Sequence, residues 1–185
     1  MRQSKTNRIL RELLDTGVYL LVVLIITYLV VHFVAQRTEV DGESMMPTLK
    51  HQDQLLVDKI SYRFNEPERF DIIVFPYPGD PEMRYIKRII GLPGETVQIG
   101  QDGTIYIDGE VLKESYGSEI IRQEMIGMAE DPITLGADEY FVMGDNRNYS
   151  RDSRMADVGN IHRDTIIGKA WVRIWPLSGF GFVAD

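Results

Sequence analysis

Between Val18 and Val34 the chain reads VYLLVVLIITYLVVHFV, with no formal charge as long as His32 is neutral. With Gly17 and Ala35 the run approaches the ~20 residues that a membrane-spanning helix needs. It is apolar around its whole circumference, whereas a helix packed on a soluble core carries one apolar stripe. Arg2, Lys5, Arg8 and Arg11 precede it, offset by Glu12 and Asp15, so the first 36 residues carry +2 and the remainder −10. Basic residues ahead of a span keep the N-terminus cytoplasmic. A cleaved leader would have an apolar region of ~7 to 15 residues ending in an A-x-A-like site, but here the run closes with FVAQR. Three parts are therefore predicted: a short cytoplasmic N-terminus over 1–17, a single-pass anchor in the cell membrane over 18–35, and an extracytoplasmic domain over 36–185.

The outer part changes texture. Short alternating runs punctuated by Gly, Pro and Asp are the pattern of strands joined by turns, so a mostly β domain is expected. Candidate strands are Gln54 to Ile60, Asp71 to Phe75, Tyr85 to Ile90, Thr96 to Ile99, Thr104 to Ile107, Glu110 to Leu112, Tyr140 to Met143 and Ile166 to Ile174. In IYIDGEVL, the pair Asp108-Gly109 suits the positive φ angles of a type I′ hairpin turn. Residues 113–138 read poorly, with a short helix expected at Glu119 to Met128. The net charge of −8 is the opposite of a basic nucleic-acid footprint, which argues against nucleic acid as a partner.

Chemistry is constrained by what is missing. With no Cys, thiolate catalysis and cysteine-zinc sites are excluded, and there is no HExxH pair. The stretch from Asp145 lacks the glycine and the terminal acid of a calcium loop, and GLPGE lacks the GK[ST] ending of a phosphate loop. No metal or cofactor is implied. A serine nucleophile needs a base, yet His32 lies in the apolar run, while His51 and His162 sit in polar turns. Lysine remains. On a strand, Tyr85, Lys87 and Ile89 project to one side, giving Lys87 apolar neighbours. Burial there disfavours the ammonium and lowers the lysine pKa by up to ~3 to 5 units, producing an amine able to accept the proton of a serine such as Ser44.

Three motifs follow the anchor in order: SMMPTL at Ser44 to Leu49, YIKRIIGLPGE at Tyr85 to Glu95, and GDNRNYSRDSR at Gly144 to Arg154. Together they resemble the bacterial type I signal peptidases, and the single anchor and short length resemble the Gram-positive form. The resemblance implies a β-rich catalytic domain in which Ser44 is the nucleophile and Lys87 the general base of a Ser/Lys dyad acting through an acyl-enzyme. It further implies that Ser150 orients the lysine amine and that the Ser44 N–H serves the oxyanion. Asp152 and Arg154 would form a structural charge pair near the site, with Asp145 and Arg147 pairing similarly or solvated. Gly42 stands where many Gram-negative members carry a hydroxyl for the oxyanion, which leaves more to the Ser44 N–H. Asn148, Tyr149 and Arg151 also depart from the usual motif.

By the same resemblance the partners are signal peptides of exported preproteins, the lipid bilayer and the export machinery. Small residues before the cut call for shallow apolar pockets, with Val40, Val74, Tyr85, Ile86 and Met45 as the candidate lining. Met45, Met46, Trp171 and Trp175 are candidates for an apolar patch at the membrane surface. Two rival readings are a self-cleaving Ser/Lys protease of the repressor kind, which the anchor and acidic charge oppose, and an inactive scaffold, which the intact Ser44, Lys87 and Ser150 oppose.

Overall fold

The computed structural model describes residues 2–29, 35–117 and 119–183. One helix, α1 (Arg2–Leu29), precedes twelve strands: β1 (Ala35–Glu39), β2 (Gln54–Asp58), β3 (Ile72–Tyr77), β4 (Asp80–Gly91), β5 (Thr96–Ile99), β6 (Ile105–Ile107), β7 (Glu110–Val111), β8 (Ile133–Thr134), β9 (Glu139–Met143), β10 (Ile161–His162), β11 (Gly168–Trp175) and β12 (Gly181–Phe182). Eight strands form one sheet, ordered β1-β2-β11-β3-β4-β9-β10 with β12 on β11, and β7-β6-β5-β8 form a second.

Side-chain alternation builds the layers. Along β3, Ile72 and Val74 enter a core with Leu55, Val57 and Met45, whereas Ile73 and Phe75 enter another with Tyr140 and Val142. On β9, Tyr140 and Val142 join that second core, and Phe141 and Met143 face a third with Val97 and Ile99 of the small sheet. The period of two thus puts both faces of the central strands under cover, and these strands read as continuous apolar runs because neither face meets water.

Pairing along β4 changes midway. Between Asp80 and Arg88 it lies against β3, but β9 pairs only with Arg88, Ile89 and Gly91. Residues 82–87 therefore keep an unpaired edge, and β1, the terminal strand, keeps another. These two edges border the cleft described below.

Several expectations need correction. No helix spans Glu119 to Met128; 3-10 turns occupy Gln123–Met125 and Gly127–Glu130. This segment is anchored by scattered buried side chains, Ile121, Ile126 and Ala129, rather than by a continuous helical stripe. Strand β4 begins at Asp80, before the expected Tyr85, and β11 covers Gly168–Trp175 instead of Ile166 to Ile174. Strands β8, β10 and β12 are unforeseen; each has only two residues, too few to show a period. Asp108 and Gly109 do take positive φ, 52° and 82°.

Helix α1 is exposed over residues 11–28 and carries no charge from Val18 onward, with Leu20 at 55% and Leu24 at 66%. Among the described residues, no helix is long and apolar enough to cross a membrane. Residues 30–34 of the predicted 18–35 span lie outside the described residues.

Candidate active site

The loop after β1 carries Ser44. Gly42 opens it at φ +98°, a conformation in which a Cβ would be strained, and Met45 and Leu49 pin it from below, 1% and 0% exposed. Backbone bonds from Met46 N to Glu43 O (3.1 Å) and from Leu49 N to Met45 O (2.9 Å) tighten the turn. From the other side Asn146 holds it: its N–H donates to Ser44 O at 3.0 Å and its Nδ2 to Glu43 O at 3.1 Å. The first and third motifs, about a hundred residues apart in sequence, are thereby locked together.

Lys87 arrives from β4. Its Nζ lies 2.8 Å from Ser44 Oγ and 3.1 Å from Ile86 O, and 4.8 Å from the centroid of the Tyr85 ring. The side chain is buried, and burial lowers its pKa to about 8; the carboxylates of Asp152 and Asp145 work against this, and the Arg154 guanidinium adds to it. Roughly a tenth of such amines are neutral at pH 7, against less than a thousandth for an ordinary lysine.

The third motif surrounds the pair with buried charge. Asp152 and Arg154, both fully buried, meet through two bonds of 2.7 and 2.8 Å. Arg154 also donates to Arg147 O at 2.7 Å and Met125 O at 2.8 Å, while Asp152 accepts from Gly144 N at 3.0 Å. Such pairs hold only when every remaining donor and acceptor is met, and here the guanidinium ties the loop 144–154 into one body.

Asp145 and Arg147 do not pair with each other, contrary to the first alternative, and neither is solvated. Asp145 accepts from Arg88 Nε at 2.9 Å and Nη2 at 2.8 Å, and from Thr48 Oγ1 at 2.5 Å. Arg147 is clamped by both oxygens of Glu114 and donates to Gly144 O at 3.0 Å. Arg88 and Glu114 were missed as partners. Only alternation along RYIKR marked Arg88 as facing opposite to Lys87, and Glu114 lies in the stretch without periodicity.

Ser150 is buried at 5% exposure, and its hydroxyl has no hydrogen-bond partner among the described residues. The expected bond to Lys87 is not made. The hydroxyl sits against Gly144, where an added methyl would overlap both Ser150 Oγ and Ser44 O.

A cleft of about 660 Å³ runs beside the pair, bordered by residues 37–45 along β1 and its loop and by 82–87 along β4, with Tyr149 and Arg151. Val40, Met45, Tyr85 and Ile86 line it. Val74 does not: it is wholly buried in the first core with Leu55 and Val57, because even-numbered β3 residues point into that core. Met45 is buried, so it cannot belong to a membrane patch, whereas Trp171 and Trp175 are about half exposed. Among the described residues no group of His, Cys, Asp and Glu is arranged to hold a metal.

Residues 13–175 match the family described as signal peptidase, peptidase S26. A signal peptidase I from Leptolyngbya laminosa is 44% identical over 157 residues, covering 80% of this chain and 73% of that protein. Signal peptidase I T from Bacillus subtilis is 34% identical over 181 residues, covering 95% and 90% respectively. A crystal structure of a signal peptidase I from Enterococcus faecalis aligns at 37% identity with a TM-score of 0.47, over 57% of this chain and 97% of that one.

Proposed function

From the premise that the chain belongs to the signal peptidase family, peptidase S26, we propose that it is a membrane-anchored serine endopeptidase that removes signal peptides from exported preproteins through a Ser44/Lys87 dyad. The observation that carries this reading is the 2.8 Å approach of Lys87 Nζ to Ser44 Oγ, with the amine buried and its pKa lowered to about 8.

In this reading the neutral amine takes the Ser44 proton as Oγ bonds to the scissile carbonyl carbon. The oxyanion that forms is met by the Ser44 N–H. Collapse breaks the C–N bond, and the Lys87 ammonium returns the proton to the departing nitrogen, leaving an acyl-enzyme. Water then attacks, Lys87 again takes the proton, and Ser44 recovers it as the ester bond breaks. The amine is held instead by the Ile86 carbonyl, 3.1 Å from Nζ, while Ser150 packs against Gly144 behind the Ser44 loop. The ion pairs of Asp152, Arg154, Asp145 and Arg147 hold the loop around it.

The substrate binds extended between the open edges of β1 and β4, where strand addition supplies its backbone bonds. Val40, Ile86, Tyr85 and Met45 leave only shallow apolar space for small side chains before the cut. Residues 18–35 serve as the anchor, 1–17 as the cytoplasmic segment and 36–185 as the extracytoplasmic domain. The charge-free run from Val18 and the exposed apolar surface of α1 support that division. Ser44 then lies near the bilayer, where the export machinery presents the cleavage site.

The test is cleavage of a preprotein with an A-x-A site by the detergent-solubilised chain, beside Ser44→Ala and Lys87→Met. Cleavage by the parent alone, rising as pH passes through about 8, is expected. Turnover surviving in either variant overturns the dyad, and an inactive parent favours a binding scaffold.

A further inference from the structure

The cleft does not stop at Ser44. A second hollow of about 380 Å³ is lined by Glu43, Met46, Pro47, Glu119, Asn146 and Tyr149, and it shares Glu43 and Tyr149 with the main cleft. The main cleft follows β1 from Arg37 toward Ser44 and β4 from Glu82 toward Lys87. Ser44 and Lys87 therefore stand at one end of it, and the second hollow adjoins that end. An extended peptide whose residues before the cut fill the main cleft must pass between Glu43 and Tyr149 beyond Ser44. At about 3.3 Å per residue, its next two or three residues reach the second hollow.

The walls of that hollow differ from those of the main cleft. Met46 and Pro47 give it an apolar floor, and Tyr149, 64% exposed, forms a side wall. Two carboxylates stand at the rim. Glu43 engages Asn146 through its backbone carbonyl, at 3.1 Å, rather than through its carboxylate. Glu119 accepts from Asn148 Nδ2 at 2.9 Å and lies 4.0 Å from Arg122, with both ion-pair side chains about half exposed. The nearby Arg151 is turned to Asp157, 2.6 Å away. Arg122, whose guanidinium also lies 5.7 Å over the Tyr149 ring, is set against Glu119 and not Glu43, so two carboxylates outnumber one guanidinium at the rim.

We propose that this hollow receives the first residues of the released mature chain, and that Glu43 and Glu119 make it favour basic over acidic residues there. The inference rests on the peptidase reading of Ser44 and Lys87. It assigns the hollow a ligand, a short cationic or neutral peptide segment, and makes the rim a determinant of substrate choice separate from the shallow pockets before the cut.

The test uses the whole protein in detergent and three peptides that share one A-x-A segment and carry Lys-Lys, Ala-Ala or Glu-Glu immediately after the cut. For the parent, Glu43→Gln/Glu119→Gln and Glu43→Lys/Glu119→Lys, the kcat/KM for the Lys and Glu peptides is divided by that for the Ala peptide of the same variant. This internal ratio is insensitive to a general loss of active enzyme. Exposed charge pairs are each worth a few-fold at most, so the parent should prefer Lys-Lys over Glu-Glu by roughly three- to tenfold at low salt. Screening at 1 M salt, where the Debye length is ~3 Å, should shrink that preference. The ratio should approach one in the double Gln variant and invert in the double Lys variant. Equal ratios in all three forms, with Ala-Ala cleaved by the parent, overturn the subsite alone. No cleavage of any peptide by the parent overturns the peptidase reading beneath it as well.

Discussion

Replacing Lys87 with Met removes an amine from a position that is 4% exposed, and the effect on folding should depend on pH in one direction. In the folded chain the amine loses its proton near pH 8, while the unfolded chain keeps it up to ~10.4. Between those values the unfolded state binds more protons, so the stability of the parent rises with pH. Below about 8 the full cost of burying the ammonium is felt, and above ~10.4 it is gone. With a limiting slope of ~1.36 kcal/mol per pH unit, reached only between the two pKa values, the parent should gain ~1.6 kcal/mol relative to Lys87→Met between pH 8 and 9.5. For a chain of this size that is a change of ~3 to 6 °C in the difference between their melting temperatures. Because only the pH dependence of the difference is read, the hydrogen bonds and packing altered by Met cancel. Urea titrations of both proteins at three or four pH values supply the measurement. A gap between parent and variant that stays constant across this window would refute the lowered lysine pKa, and with it the neutral base on which the proposed chemistry rests.

Other outcomes follow from the same packing. Asp145→Ala removes the carboxylate that neutralises the fully buried Arg88 and should cost about 3 to 5 kcal/mol in urea unfolding, whereas Arg151→Ala, which breaks a solvent-exposed pair with Asp157, should cost less than ~1 kcal/mol. Gly144→Ala presses a methyl into Ser150 Oγ and the Ser44 carbonyl, so preprotein cleavage should fall at least tenfold at a matched folded fraction, checked by circular dichroism. Leu49→Ala, at a site with no exposure beneath the Ser44 loop, should lower stability by ~2 to 5 kcal/mol. Trp171 and Trp175 are the only tryptophans and both are about half exposed, so brominated lipid in reconstituted vesicles should quench the intrinsic fluorescence if this face meets the bilayer. Unchanged fluorescence would place it away from the membrane.

Much of the site was legible because strand alternation and motif order are local properties. Lys87 next to Tyr85, Ser44 behind a glycine, and the Asp152 to Arg154 spacing of two residues could be read without knowing the fold. The central strands were legible for the same reason, since β3 and β9 are apolar runs bounded by turns. The two-residue strands were not: β8, β10 and β12 exist because β5, β9 and β11 offer them an edge, and two residues carry no period. The turns around Ile121 and Ile126 were equally hidden, their apolar positions being spaced by the surface they cover.

The sequence by itself determined an apolar N-terminal run, a β-rich remainder and a serine and a lysine in recognisable settings, because hydrophobic period, turn chemistry and charge are set by neighbours along the chain. Only the tertiary structure decided that Lys87 meets Ser44 and that Asp145 belongs to Arg88 and Arg147 to Glu114. It also decided that Val74 lies in the core while Ile86 faces the cleft, and that the Ser150 hydroxyl finds no partner among the described residues. These are relations between segments tens of residues apart, fixed by which strand edges pair and which stay open. The physical cause is burial: a charge taken out of water must find its counter-charge wherever the packing brings one, and nothing local in the chain says where that will be.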